Sequence, residues 1–259
     1  MPPANSHPAM DWRWCCWVAI GGALGCAARF LATGGHGWHV FCAMVGGATG
    51  CVLRGALSAS WTRATKKIHA GTLFANVAGS FLFGFISSCL SENESRDPGV
   101  LAALLLAGFC GGLTTFSGFA CQTLGLWKEK VAPAAMLNVA VHFLACTGAV
   151  RLGALIAMPA PGLEASVTAA AFHGTLGANI LGSFLAGWAV ARLQGVREMT
   201  AFRINAVFVT GFCGGLTTFS GMAWQVNAGS VPALLGNIIL GAIAVLAGNR
   251  LGSKYPGSK

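Results

Sequence analysis

Charge is what this chain has least of. Only 9% of its residues are Asp, Glu, Lys or Arg, against roughly 25% in an ordinary soluble domain. A water-facing surface cannot be covered with so few. Acidic residues are scarcest: seven in 259 positions, none within an apolar run. That removes the membrane carboxylates a proton-coupled transporter needs. No CxxC pair occurs either, and Cys15, Cys16, Cys26, Cys51, Cys110, Cys146 and Cys213 sit inside apolar stretches. They read as small packing residues, not as a disulfide or metal framework. A formal charge of +9 does not indicate nucleic acid, because the basic residues form short clusters between apolar segments, where they set membrane orientation. No nucleophile with an orienting base is recognisable, and the histidines are scattered, so the chain is not read as an enzyme.

What is present is apolar length. Hydrophobic residues make up 55% of the sequence, in runs near 12–32, 38–61, 69–90, 100–127, 132–157, 168–191, 203–225 and 231–251. Each is long enough to cross a bilayer as a helix, which takes about 17–25 residues. Short polar or Gly/Pro-containing turns separate them, at 34–37, 91–98, 128–130 and 158–162. Arg13 ahead of the first run gives it the look of a signal peptide. That run continues through Phe30 and carries a motif repeated later, so it is read as a span.

With eight spans, Arg13, Arg63, Lys66, Lys67, Lys128, Lys130, Arg192, Arg197, Arg203, Arg250, Lys254 and Lys259 fall on one side. Arg29, Arg96 and Arg151 fall on the other, with Glu92, Glu94, Asp97 and Glu164. This bias places both termini in the cytosol of a multi-pass protein, with the plasma membrane as the expected host.

The chain repeats itself. Gly71-Thr-Leu-Phe-Ala-Asn76-Val-Ala-Gly79-Ser-Phe-Leu is matched by Gly174-Thr-Leu-Gly-Ala-Asn179-Ile-Leu-Gly182-Ser-Phe-Leu. Gly108 through Gly118, GlyPheCysGlyGlyLeuThrThrPheSerGly, is identical to Gly211 through Gly221. Pro133, Asn138 and Arg151 align with Pro232, Asn237 and Arg250 at one offset. The second copy lacks a first helix before Gly174. That helix is found at the N-terminus: Gly21-Gly-Ala-Leu-Gly25-Cys-Ala-Ala-Arg29 and Gly46-Gly-Ala-Thr-Gly50-Cys-Val-Leu-Arg54 are two copies of one helix. Repeat A is therefore 38–157, and repeat B is 12–32 plus 168–251. Counting spans then makes every helix of B antiparallel to its partner in A, as in inverted-repeat membrane proteins. The expected fold is an all-α integral membrane protein of eight transmembrane helices. Its two four-helix inverted repeats form a fused antiparallel pseudo-dimer, and the third helix of each is broken at the GlyGly/ThrThr motif.

Such a break in mid-membrane frees backbone carbonyls, which is tolerated where they are buried or line a cavity. Two breaks meeting at the repeat axis suit a hard cation. Asn76 and Asn179 are amides in mid-span and must find partners or a wet pathway. Phe116 and Phe119 lie one helical turn apart, as do Phe219 and Met222, and an aromatic edge is electropositive enough for an anion to approach.

These motifs together resemble the Fluc/CrcB fluoride channels, in the fused two-repeat form of the FEX fluoride exporters, over about residues 12–252. The resemblance implies passive efflux of fluoride, protecting the cell from its toxicity, through two antiparallel pores beside a central structural Na⁺. Carried over, the Na⁺ ligands are the carbonyls of Gly111, Thr114, Gly214 and Thr217. Fluoride contacts Asn76, Asn179, Phe116, Phe119 and Phe219, and Arg29 and Arg54 draw anions toward a vestibule. Copy A also presents Asn138, His142 and Thr147 as a polar track on its fourth helix, where copy B has Asn237, Gly241 and Val245 at the four-residue spacing. Met222 stands where the family has a second Phe. The expectation is one intact pore, Phe119 with Phe219, and one degenerate pore, Phe116 with Met222. Partners are the fluoride ion and the lipid bilayer, with a monomer sufficing because both halves share a chain. The alternative is an inverted-repeat secondary transporter of another small solute.

Overall fold

The computed structural model describes residues 11–62, 70–91, 98–157 and 169–254. Arg63, Lys66, Lys67, Glu92, Glu94, Arg96, Asp97, Glu164 and Lys259, with the 158–162 turn and most of 91–98, lie outside these residues. No strand occurs among the described residues. The helices are α1 Trp12–Ala32, α2 Trp38–Thr62, α3 Ala70–Ser91, α4 Pro98–Leu101, α5 Gly111–Leu113, α6 Phe116–Lys128 and α7 Ala132–Ile156. The second half continues with α8 Ala169–Arg192, α9 Glu198–Ile204, α10 Gly214–Leu216, α11 Ser220–Asn227 and α12 Val231–Lys254. Two π-helical stretches, π1 Ala102–Cys110 and π2 Asn205–Cys213, join α4 to α5 and α9 to α10.

Joined end to end, these make eight helices long and apolar enough to cross a membrane. This is an all-α, eight-span membrane protein, and its outer faces carry exposed Leu24, Leu144, Leu155 and Ile243. Spans four and seven are Gly99–Lys128 and Glu198–Asn227. The seventh begins five residues before the expected start at 203, because Glu198 and Arg203 join its first helical turns.

Glycine sets the approach of the first two helices. A Cβ on Gly21 or Gly25 would lie 1.9 Å from Val207 O or 2.2 Å from Phe212 O. One on Gly46 or Gly50 would lie 1.9 Å from Leu104 O or 2.3 Å from Phe109 O. Backbone therefore meets backbone: α1 packs on π2 and α10, and α2 on π1 and α5. α1 and α2 cross where Gly22 faces Cys51 and Gly47 faces Cys26, which leaves the two thiols buried as packing groups. Outside this centre, α3 packs along α7 and α8 along α12.

Candidate functional site

Both breaks are present, and the first threonine of each is extended in the same way. Thr114 (φ −96°, ψ 156°) and Thr115 (φ −148°, ψ 131°) leave the helix as extended residues between α5 and α6. Thr217 does the same after α10 (φ −97°, ψ 149°). A break exposes the first N–H groups of the next half-helix, which need acceptors in a membrane interior. The first threonine of each pair supplies them to the opposite half. Thr217 Oγ1 accepts from Phe116 N (3.2 Å) and Ser117 N (3.0 Å). Thr114 Oγ1 accepts from Phe219 N (3.2 Å) and Ser220 N (3.3 Å). The second threonine caps its own half: Thr115 Oγ1 accepts from Gly118 N, and Thr218 Oγ1 from Gly221 N. Ser117 closes the knot by donating to Cys213 O across the axis (3.1 Å). The ThrThrPheSer identity thus encodes two half-helices, each capped by the other repeat. Sequence reasoning had assigned only the backbone of Thr114 and Thr217.

Asn76 and Asn179 hold the breaks open from outside. Asn76 Oδ1 accepts from Thr115 N (2.8 Å) while its Nδ2 donates to Thr115 O (3.2 Å). Asn179 grips Thr218 in the same way, at 2.9 and 3.1 Å. There the likeness ends. Asn179 Nδ2 also donates to Asn237 Oδ1 (2.7 Å), so both of its N–H groups are taken. Asn76 has no counterpart of that bond, because Asn138 turns away and donates to Thr123 Oγ1 (2.8 Å). One turn beyond each Asn, the hydroxyls of Ser80 and Ser183 are fully buried.

The rings gather in one buried cluster that α7 and α12 flank. On the α7 side, Phe119 and Phe219 meet edge to face, with centroids 5.5 Å apart and planes at 87°. His142 lies 4.9 Å from Phe119 and 5.8 Å from Phe219, and Phe143 lies 5.1 Å from Phe219. His142 Nδ1 is paired with Asn138 O (2.9 Å). On the α12 side, Phe116 fills the space that Gly241 leaves, since a Cβ there would be 2.4 Å from its ring. Met222 is fully buried beside it in the same apolar cluster. Thr147 of the expected polar track bonds its own helix, donating to Phe143 O (2.6 Å).

The arginines expected to draw anions toward a vestibule lie deep in the structure. Arg29 and Arg54 are 3% and 5% exposed and point into the centre of the molecule. Arg29 Nη2 donates to Ala107 O, and its Nη1 to Gly215 O, Gly111 O (3.2 Å) and Thr217 O (3.2 Å). Arg54 donates from Nε to Gly112 O (2.9 Å) and from Nη2 to Thr210 O (2.6 Å). Both half-helices end here, and the negative ends of their dipoles attract cations inward. The GlyGly pairs make the seats: a Cβ on Gly111 would lie 2.1 Å from Arg29 Nη2, and one on Gly214 2.2 Å from Arg54 Nη2. The expected Na⁺ ligands are hard oxygens and suit a small cation in kind. Two of the four, Gly111 O and Thr217 O, also accept from Arg29 Nη1, each with one of its two lone pairs.

Comparison with known proteins agrees with this architecture. The profile of the family described as "CrcB-like protein, Camphor Resistance (CrcB)" matches twice, over residues 41–154 and 157–249, leaving α1 outside both matches. A fluoride-specific ion channel FluC of Methylococcus capsulatus is 33% identical over 187 residues, covering 68% of each chain. One of Methylocella silvestris is 36% identical over 143 residues, 55% of this chain and 91% of the relative. One of Escherichia fergusonii is 42% identical over 100 residues, 39% and 78%. With two consecutive profile matches, paired helix breaks and a relative aligned over two thirds of its length, the chain belongs to the CrcB family.

Proposed function

We propose that this protein is a fluoride channel that lets the ion leave the cell passively, and that it conducts through the α7-side groove. The carrying observation is the amide of Asn76. One of its N–H groups holds the helix break, and the other is left to replace a water on a dehydrating anion. Fluoride is small and strongly hydrated, so it enters a protein only where donors replace its shell. Beside Asn76 the buried Ser80 hydroxyl and the ring edges of Phe119 and Phe219 supply positive potential without a full charge. On the α12 side Asn179 has spent both N–H groups, and Met222 offers a thioether in place of a ring edge. Met222 and Gly241 make that groove the degenerate one.

Absence of mid-span carboxylates in the sequence supports passive movement over proton coupling. The packing of α1 on π2 and α10, and of α2 on π1 and α5, supports 12–32 as the first helix of repeat B and 38–61 as that of repeat A. The charge bias supports cytosolic termini, and the fusion of both halves in one chain supports a monomer. The test is efflux from proteoliposomes holding the purified chain. Fluoride should leave rapidly with an ionophore for charge balance, and chloride should stay. Comparable chloride release, or no fluoride release, would overturn the reading.

A further inference from the structure

We propose that the cavity between the ends of α6 and α12 seats the phosphate headgroup of an anionic phospholipid. The cavity holds about 570 Å³, and its lining divides by chemistry. Leu124, Trp127 and Leu246 are its apolar part. Trp127 is 60% exposed, as suits a ring at the membrane boundary. Lys128, Arg250 and Lys254 supply three cations, and no carboxylate joins the lining. Lys128 Nζ donates to Asn249 Oδ1, and the buried Asn249 is itself held by donating from Nδ2 to Gly187 O (3.3 Å). That amide fixes the ammonium group at the cavity and leaves two of its N–H donors for a ligand. Arg250 and Lys254 are exposed beside it. A phosphate offers the acceptor oxygens that a guanidinium fork and two ammonium groups address best. The apolar lining then suits the acyl chains that a lipid phosphate brings with it and a soluble anion does not.

The repeat supplies the control. At the constant offset between α7 and α12, Arg250 matches Arg151, but Asn249, Ser253 and Lys254 stand where α7 has Val150, Ala154 and Leu155. α11 ends at Asn227, the equivalent of Leu124, so it lacks the turn that carries Trp127 and Lys128. Its approach to α7 is bridged instead, by Asn227 Nδ2 donating to Thr147 O (3.0 Å). Spans four and eight end at Lys128 and Lys254, and spans five and seven at Ile156 and Asn227, so the two places lie at opposite membrane faces. The basic one is on the face that the charge bias assigns to the cytosol, whose leaflet carries the anionic lipids. The choice of leaflet rests on that orientation, and the chemistry of the cavity does not. Orientation asks for basic residues on this face, but not for three of them around one partly apolar cavity.

The experiment titrates the purified full-length protein, in micelles of a neutral detergent, with dioleoylphosphatidylglycerol and follows retained lipid by native mass spectrometry. Wild type should hold this lipid in preference to dioleoylphosphatidylcholine. Glycerol 3-phosphate, which has the phosphate without acyl chains, should not displace it. The double variant Arg250→Gln, Lys254→Gln should bind phosphatidylglycerol more weakly by roughly tenfold or more. Both side chains are exposed, so the melting temperature without lipid should stay at the wild-type value. Arg151→Gln, at the matching position on the opposite face, should bind as wild type does. Equal retention of the two lipids overturns the inference, as does a double variant that binds as tightly as Arg151→Gln. Displacement by glycerol 3-phosphate also overturns it, because the cavity would then be a site for a soluble anion. Micelles have no inner and outer leaflet, so failure here is distinct from failure of the assigned orientation.

Discussion

The two halves descend from one repeated motif, and they part in what surrounds the rings and the asparagines. Thr114 and Thr217 cap each other's half-helices with the same bonds, and Asn76 and Asn179 grip Thr115 and Thr218 with the same geometry. His142 aligns with Gly241, Cys146 with Val245 and Phe119 with Met222, and Asn138 points elsewhere than Asn237. Residues that hold the halves together are shared because each half depends on the other's copy. Residues that only line a path can drift in one copy, provided the second path still works.

The largest effect expected follows from the rings. Phe119→Ile and Phe219→Ile keep apolar bulk and cost little packing, but each removes one of the two ring edges on the α7 side. Fluoride efflux from reconstituted protein should fall by roughly tenfold or more in each, equivalent to about 1.4 kcal/mol of barrier. Phe116→Ile should retain most of the flux. Equal damage from all three would make the grooves equivalent and Met222 a working substitute for phenylalanine.

The asparagines sharpen the same contrast with an internal control. Asn76→Ser and Asn179→Ser both lose the grip on a threonine peptide, so both should destabilise the fold, by about 1–3 kcal/mol for the buried groups left unpaired. Under the proposed function, only Asn76→Ser also removes a donor to the ion. Efflux per folded molecule should drop several-fold for Asn76→Ser and hold near wild type for Asn179→Ser, with folding followed by melting temperature. A matching drop in both would show that Asn179 serves a conducting path after all.

Much of this was legible in the sequence because composition and repetition are read residue by residue. The third span, placed at 69–90, is Ala70–Leu90 in the structure, and the break falls on the ThrThr pair as expected. What could not be read is direction and register. Arg29, counted among the residues of the outer side, folds back to the centre because carbonyl dipoles converge there, and its helix position alone does not say so. The π-helical register of Ala102–Cys110 and Asn205–Cys213 leaves no mark in composition. Asn138 and Asn237 align in the repeat, and nothing in the alignment says that one turns to Thr123 and the other to Asn179. Ser117 and Ser220 were visible inside the eleven-residue identity, but their reach across the axis needed the fold.

The threonines are where the comparison should vanish. Thr114→Val and Thr217→Val each preserve shape and strip one oxygen that accepts two N–H groups of the opposite half-helix. Loss of such a cap costs about 1–2 kcal/mol, and the two variants should lose the same amount, because each half-helix depends on the other repeat.

The smallest effect expected comes from the α12-side groove alone. Gly241→Ala places a methyl where Phe116 now packs, 2.4 Å from its ring, so the ring must turn. Overpacking of this kind costs about 1–3 kcal/mol, and the melting temperature should fall modestly. Phe116 also touches Phe119 and Phe219, at 5.5 and 5.9 Å between centroids, so a displaced ring has a route by which to disturb the conducting side. The α7-side pair also has support of its own: Phe143 and His142 pack on Phe219 and Phe119 from α7. Efflux per folded molecule should therefore stay within about twofold of wild type, less than 0.5 kcal/mol of barrier. A larger loss would mean that the two grooves share one mechanical unit through Phe116, and the division into a working side and an idle side would have to be abandoned.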